Sequence, residues 1–173
     1  MEASDGDLVD RALAGDHQAF AGLLKEHDES MRRLAGRIVG RSTMDDVLQD
    51  AYLKAYLNLG TFGRRSGFRS WLYSIVYRTC IDHLRMAGRR REVELDENLP
   101  SLASDHLASD RLADRVANRS LLRQAIADLS PDHAAVVLLV DGEGMTYDEA
   151  AGALDLVPGT VASRLNRARR HLR

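Results

Sequence analysis

The strongest constraint on the fold is a set of helix boundaries in the last quarter of the chain. Ser130-Pro131 is typical of a helix start, with serine as the N-cap and proline at the first helical position. The run Asp141-Gly142-Glu143-Gly144 ends that helix, and Thr146 to Glu149 is a capping box that begins the next. Asp155 to Gly159 then turn the chain into a final helix. Two short helices joined by a tight turn predict a helix-turn-helix.

The final helix has an apolar face and a basic polar face. Its predicted buried residues are Val161, Leu165, Ala168 and Leu172. Away from them, at helical spacing, lie Ser163, Asn166, Arg167 and Arg170. Asparagine and arginine make the bidentate contacts that read adenine and guanine in the major groove. The alternative is an ordinary solvated arginine-rich helix; the coincidence of cap, turn and basic face favours DNA recognition.

Apolar residues at helical spacing also predict helices in the first half of the chain. We expect a break at Gly15-Asp16 and a second helix over about Ser30 to Val39. Gly40 to Thr43 is expected to form a turn, with Ser42 or Thr43 capping the next helix. That helix, about Met44 to Leu59, carries one stripe for the core: Leu48, Ala51, Tyr52, Ala55 and Leu59. A different face, with leucines beside carboxylates, predicts a partner surface: Asp46, Gln49, Asp50, Leu53 and Leu57.

A glycine- and arginine-bearing loop, Gly60 to Gly67, precedes a long helix over about Phe68 to Met86. One side of this helix is apolar: Tyr73, Val76, Tyr77, Cys80, Ile81 and Leu84. The other side carries Arg78, Asp82, Arg85 and, if the helix extends so far, Arg89. A core face opposite guanidinium groups is the pattern of a helix that lies on a phosphate backbone.

Aromatic residues cluster around this loop. Seven of the nine lie between Tyr52 and Tyr77, and aromatic rings among arginines can stack on unpaired bases. Tyr52, Tyr73 and Tyr77 fit core positions, and Trp71-Leu72 fits the core better than a ligand site. We expect the loop residues to be the better candidates for base contacts: Arg64, Arg65 and Phe68.

Charge is distributed unevenly along a chain whose net charge is only −2. Eight arginines and one acid lie between Phe62 and Arg91, and five arginines and no acid lie from Leu156 onward. Between them, Glu92 to Asp110 holds six acids and no lysine or arginine, which predicts a flexible linker. Two basic segments suggest a polyanionic partner, most commonly nucleic acid.

The composition argues against several other classes of protein. The single cysteine permits no intrachain disulfide and favours a reducing cytoplasm. The acidic first residues do not look like a signal peptide, and no apolar run is long enough for membrane insertion. The histidines lack metal-ligand spacing and no phosphate-binding loop occurs, so we expect neither cofactor nor enzymatic activity.

Two motifs together resemble a known family. The run Asp46-Val47-Leu48-Gln49-Asp50-Ala51-Tyr52-Leu53-Lys54-Ala55-Tyr56, with Trp71-Leu72 after it, resembles sigma region 2. The run Gly144-Met145-Thr146-Tyr147-Asp148-Glu149, followed by Gly159 to Arg169, resembles sigma region 4. Their order and spacing are similar to extracytoplasmic-function (group IV) sigma factors. The expected fold is all-α, with two small helical domains, 1–91 and 112–173, joined by an acidic linker, 92–111.

The resemblance implies roles for particular residues and partners. The β′ clamp helices of core RNA polymerase would bind Asp46, Gln49, Asp50, Leu53, Lys54 and Leu57. The −10 element of promoter DNA would meet Arg64, Arg65, Phe68, Arg69, Arg78, Arg85, Arg89 and Arg90. The −35 element would meet Gly159, Thr160, Ser163, Arg164, Asn166, Arg167, Arg169 and Arg170. The β flap and an anti-sigma factor are further implied partners, and the linker would thread towards the active-site and RNA-exit channels.

The main alternative is a stand-alone helix-turn-helix regulator that binds DNA as a dimer and acts without polymerase. The first half of the chain separates the two hypotheses. A regulator has no need for Gln49, Asp50 and Leu53 beside an aromatic and arginine-rich loop. An enzyme acting on nucleic acid would need a metal or nucleophile constellation, which the sequence lacks.

Overall fold

A computed structural model describes residues 5–64, 67–94, 125–126 and 128–172, with side chains in the long central helix described as far as residue 88. All regular structure in these residues is helical. The helices are α1 (Asp5–Leu13), α2 (His17–Val39), α3 (Arg41–Asn58), α4 (Phe68–Glu94), α5 (Pro131–Val137), α6 (Tyr147–Leu154) and α7 (Pro158–His171). A 3₁₀ turn, Leu59–Thr61, follows α3, and a π-helical turn, Leu138–Gly142, follows α5. An all-α fold is therefore confirmed.

Helices α1 to α4 pack into an N-terminal bundle. Gly15 adopts a left-handed φ of 94° and separates α1 from α2, as predicted. The Asp16 side chain caps α2 by accepting hydrogen bonds from the backbone amides of Gln18 and Ala19. The bundle core is formed by large side chains from α2, α3 and α4: Leu23, Met31, Leu34, Leu48, Leu72, Tyr73 and Val76.

Three boundaries in this bundle differ from the sequence-based expectation. Helix α2 is continuous from His17 to Val39, because buried His27 continues its core stripe between Leu23 and Met31. Helix α3 begins at Arg41, and its N-cap is Gly40 at φ 81° with no side-chain cap, so the expected capping by Ser42 or Thr43 is wrong. Helix α4 extends to Glu94, so residues 92–94, expected in the linker, are helical. The remainder of the linker and the first part of the expected domain 112–173 lie outside the described residues, apart from a short stretch around residue 126.

The boundaries of the C-terminal unit, residues 128–172, agree with the sequence. Ser130 caps α5, with Pro131 at its first position. Thr146 and Glu149 form both hydrogen bonds of a capping box at α6. Asp155 ends α6 in a left-handed conformation at φ 57°, and α7 begins at Pro158 without a side-chain cap. Helices α5 and α6 both pack on α7, which completes the helix-turn-helix.

The two helical units also pack against each other. Helix α6 lies on α4, and α5 lies near α2. Within the described ranges, no helix is both long and apolar enough to span a membrane.

Candidate nucleic-acid interface

The outward face of α3 exposes apolar side chains beside carboxylates. Leu53 is 58% exposed and Leu57 is 71% exposed, and Asp46, Gln49 and Asp50 are exposed on the same helix. The helix is held by the opposite stripe, in which Val47, Leu48, Ala51 and Ala55 are buried. Nearby Lys54 is also exposed, and its ammonium donates to the Thr79 hydroxyl at 3.4 Å. Because two exposed leucines gain from losing water, this face is suited to docking on another protein.

The loop after α3 is held by its own aromatic residues. The Phe62 ring lies 5.9 Å from Phe68 and 5.3 Å from Trp71, between ring centroids. Phe68 begins α4, as expected, but it is only 2% exposed, so its ring is packed in the core and is not free to contact a base as expected. Its ring packs against Phe62, Trp71 and the imidazole of His27, which the loop's polar sequence did not reveal.

Arg64 occupies the outer part of the loop. It has a left-handed φ of 54° and forms an ion pair with Asp10 of α1. A cavity of about 340 Å³ opens beside it, lined by Asp5, Phe62, Arg64 and Phe68 among others. Arg65, also predicted to contact DNA, lies outside the described residues.

The outer side of α4 carries the expected arginines. Arg78, Asp82 and Arg85 are exposed, and Arg85 lies 3.6 Å from Asp82. Arg78 lies 3.7 Å from Asp155 of the C-terminal unit. The backbone positions of Arg89 and Arg90 are within α4, as expected, and their side chains lie outside the described residues.

Helix α7 has the two faces that the sequence predicts. Val161, Leu165 and Ala168 are buried, and Leu172 is half-buried against them. The opposite face is exposed and consists of Ser163, Asn166, Arg167 and Arg170, with Gly159 exposed at the start of the helix. This arrangement leaves hydrogen-bonding side chains free to enter a groove of DNA.

The arginines of α7 differ in their partners. Arg169 binds the Asp141 carboxylate through its Nε at 3.1 Å. Half-buried Arg164 lies 3.0 Å from Asp132. Arg167 and Arg170 make no ion pair with any residue that the structure describes, so they are the side chains of α7 most available to an external anion.

Glu143 forms a charged cluster between the two units that sequence analysis did not find. Its carboxylate accepts hydrogen bonds from the Ser30 hydroxyl at 2.9 Å and from the guanidinium groups of Arg33 and Arg69, each at 2.7 Å. Burial acts to raise the pKa of Glu143. The hydrogen bonds from Arg33 and Ser30, with the charges of Arg33 and Arg69, outweigh it and hold the pKa below its ordinary value.

Further contacts join the units around this cluster. The Tyr77 hydroxyl donates to the Asp132 carboxylate at 2.8 Å. Arg37 donates to the backbone carbonyls of Ile126 and Leu129, each at 2.7 Å. The described residues contain no group of three or more His, Cys, Asp and Glu side chains that could hold a metal ion.

Comparison with known proteins decides the family. The chain matches Sigma-70 region 2 over residues 23–90 and Sigma-70 region 4 over residues 119–172. It is 35% identical to the ECF RNA polymerase sigma factor SigM of Mycobacterium tuberculosis, over 99% of this chain and 84% of that protein. This chain belongs to the ECF sigma factors. The ECF RNA polymerase sigma-E factor of Escherichia coli is 29% identical, over 97% of this chain and 92% of its own length.

Solved structures show the same fold. A sigma factor RpoE in complex with the anti-sigma factor NepR, from Bartonella quintana, superposes with a TM-score of 0.71 at 24% identity, over 88% of this chain and 93% of that one. CnrH in complex with the cytosolic domain of CnrY gives 0.65 at 27% identity, over 95% and 92%. This ECF sigma factor is therefore a promoter-specificity subunit of RNA polymerase, without enzymatic activity of its own. The hypothesis of a stand-alone regulator is replaced, because both matched regions are present in order.

Proposed function

We propose that this sigma factor binds its partners through three separate surfaces. The α3 face, formed by Asp46, Gln49, Asp50, Leu53, Lys54 and Leu57, binds the β′ clamp helices. The loop and the outer side of α4 hold the −10 element, and α7 reads the −35 element. The corresponding domains are 1–91 and 112–173, and the protein acts in the cytoplasm. An anti-sigma factor is a further proposed partner, because CnrH, which is similar to this chain, was solved in complex with the cytosolic domain of CnrY.

The observation that carries the proposal is the exposure of Leu53 and Leu57 beside Gln49 and Asp50. Such a patch has no partner among the residues that the structure describes. A partner protein would cover it and gain the apolar burial. The separate exposed polar face of α7 then remains available for DNA.

The test begins with a pull-down of core polymerase by the full chain, followed by run-off transcription from promoters selected from genomic DNA. We expect stable association with core enzyme and transcription that starts at the selected sites. Transcription without added sigma factor, or no association with core, would contradict the proposal.

A further inference from the structure

Glu143 occupies a site whose geometry suits an oxyanion. We call Ser30, Arg33 and Arg69 the anion site. Its three donors reach both carboxylate oxygens of Glu143, and Arg69 also donates to the Glu143 backbone carbonyl at 2.6 Å. The Glu143 side chain is only 11% exposed, whereas Arg33 and Arg69 are 47% and 36% exposed, so the contact between the units covers the carboxylate more than the arginines.

Without a bound anion, the positive charges of the anion site would not be neutralised. Arg33 and Arg69 point guanidinium groups at the same carboxylate, and like charges in one half-buried place repel each other. Guanidinium groups bind phosphate oxygens with the same forked geometry with which they bind carboxylates. A phosphate group would therefore satisfy the same donors that Glu143 now satisfies.

A second arginine of α4 also faces a carboxylate of the C-terminal unit. Arg78, on the same helix as Arg69, lies 3.7 Å from Asp155 of the C-terminal unit. Both arginines belong to the set proposed to hold −10 DNA. With the two units in contact, each of these arginines faces a carboxylate of the C-terminal unit, so DNA would have to compete with these carboxylates for both arginines.

We propose that Ser30, Arg33 and Arg69 bind a backbone phosphate of promoter DNA, and that Glu143 competes with this phosphate by holding the two helical units together. The proposal rests on the proposed function, which supplies promoter DNA as the anion. It adds Ser30 and Arg33 to the DNA-binding residues and makes Glu143 an internal competitor.

The first experiment measures binding of a labelled single-stranded oligonucleotide to the full chain, without polymerase, at several salt concentrations. Glu143→Gln keeps the side-chain shape and removes the charge, so we expect affinity to rise about fivefold or more. Glu29→Gln is the matched control: Glu29 also pairs with Arg33, but it is 89% exposed and lies on the same helix as Arg33. It should leave the affinity unchanged.

Adding Arg33→Ala to Glu143→Gln tests the phosphate contact itself. The double variant should lose the gain in affinity, and its salt slope should fall by about 0.7 units, the value for one phosphate of a single strand. If Glu143→Gln binds no tighter than the parent chain, Glu143 does not compete and the proposal is wrong. If the added Arg33→Ala changes neither affinity nor slope, Arg33 is not a phosphate ligand and the proposal is also wrong.

A third experiment leaves Glu143 and the anion site unchanged, so its result does not depend on whether the Glu143 and Arg33 variants fold. Dyes on cysteines introduced at exposed Glu26 of α2 and Asp148 of α6 report the distance between the units by energy transfer. Saturating oligonucleotide should lower the transfer efficiency, because bound phosphate and Glu143 exclude each other. Unchanged efficiency at saturation would overturn the proposal.

Run-off transcription by the parent chain separates this inference from the proposed function. If the parent transcribes with core polymerase but Glu143→Gln shows no gain in DNA binding, only the anion-site proposal fails. If Glu143→Gln gains affinity but the parent does not support transcription, the anion site stands and the proposed function fails.

Discussion

The Arg164 guanidinium lies 3.0 Å from the Asp132 carboxylate, which also accepts a hydrogen bond from the Tyr77 hydroxyl. One carboxylate thus joins α4, α5 and α7. Burial, followed by the hydrogen bond to Asp132, raises the pKa of Tyr77, so its hydroxyl stays protonated and remains a donor. Because Arg164 is held by this ion pair, we expect direct base contacts from side chains of α7 that form no ion pair with the described residues, such as Arg167.

Arg167 should read a base, whereas Arg170 should contact a phosphate. Arg167 lies about one turn nearer the start of α7 than Arg170, and side chains nearer the start of a recognition helix reach base edges while later ones meet the backbone. Arg167→Ala should cost about 1–3 kcal/mol and relax the preference at one base pair. Arg170→Ala, the matched control, should weaken all −35 sequences alike and lower the salt slope by about 0.9 units. Binding to a panel of single-base −35 variants at several salt concentrations distinguishes the two. A uniform loss for Arg167→Ala would place it with the phosphate contacts.

Polymerase binding should depend on the exposed α3 face. Asp50→Lys with Leu53→Ala should weaken binding to core polymerase by about 1–4 kcal/mol, as for other interface anchors. Helicity by circular dichroism should not change, because both side chains are exposed. Leu13→Ala, an exposed leucine on α1, serves as control and should bind like the parent. Equal affinity of the double variant and the parent would show that polymerase docks elsewhere.

Phe68 should matter for stability. Its ring is buried among Phe62, Trp71 and His27, so Phe68→Ala should lower the free energy of unfolding by about 3–5 kcal/mol. Arg64→Ala removes only an exposed ion pair and should cost less than about 1 kcal/mol. Denaturant unfolding of both variants measures the difference. A Phe68→Ala protein as stable as Arg64→Ala would mean that the ring is free to stack on a base.

Promoter melting should depend on Arg64 and Arg65. We expect the double alanine variant to form holoenzyme and bind the −35 element, yet to fail in open-complex formation, because the loop loses both guanidinium groups. Permanganate reactivity of the melted region measures this step. Arg41→Ala, an exposed arginine at the start of α3, is the control for lost charge. If the double variant gave a footprint as strong as that of the parent, the loop arginines would not be needed for promoter melting.

The contribution of Glu143 to stability should vanish in acid. Its pKa is held below the ordinary value of 4.5, so its stabilisation is complete above that value and is lost as the pH falls through the folded-state pKa. At pH 7, Glu143→Gln should unfold with about 1–3 kcal/mol less free energy than the parent, since it loses charge-assisted hydrogen bonds. Denaturant titrations from pH 7 downward should show this difference shrinking below pH 4.5. A difference that grew in acid would contradict the assigned pKa direction.

Local chemistry in the sequence determined the helix boundaries of the C-terminal unit and which side of its last helix is buried. Ser130, Thr146 with Glu149, and Asp155 act on backbone groups within a few residues, so their effect can be read without knowing the fold. Periodicity likewise separated the buried and exposed faces of α3 and α7, because a helix repeats its environment every three to four residues.

Only the tertiary structure decided which side chains meet across long sequence separations. Ser30 and Arg33 reach Glu143 from more than a hundred residues away, and no local pattern encodes that meeting. His27 is buried because α1 and α4 place Asp5 and Phe68 against it, although a histidine alone does not indicate a core position. Propensity and spacing act along the chain, whereas burial and ion pairing depend on which surfaces the packed helices bring together.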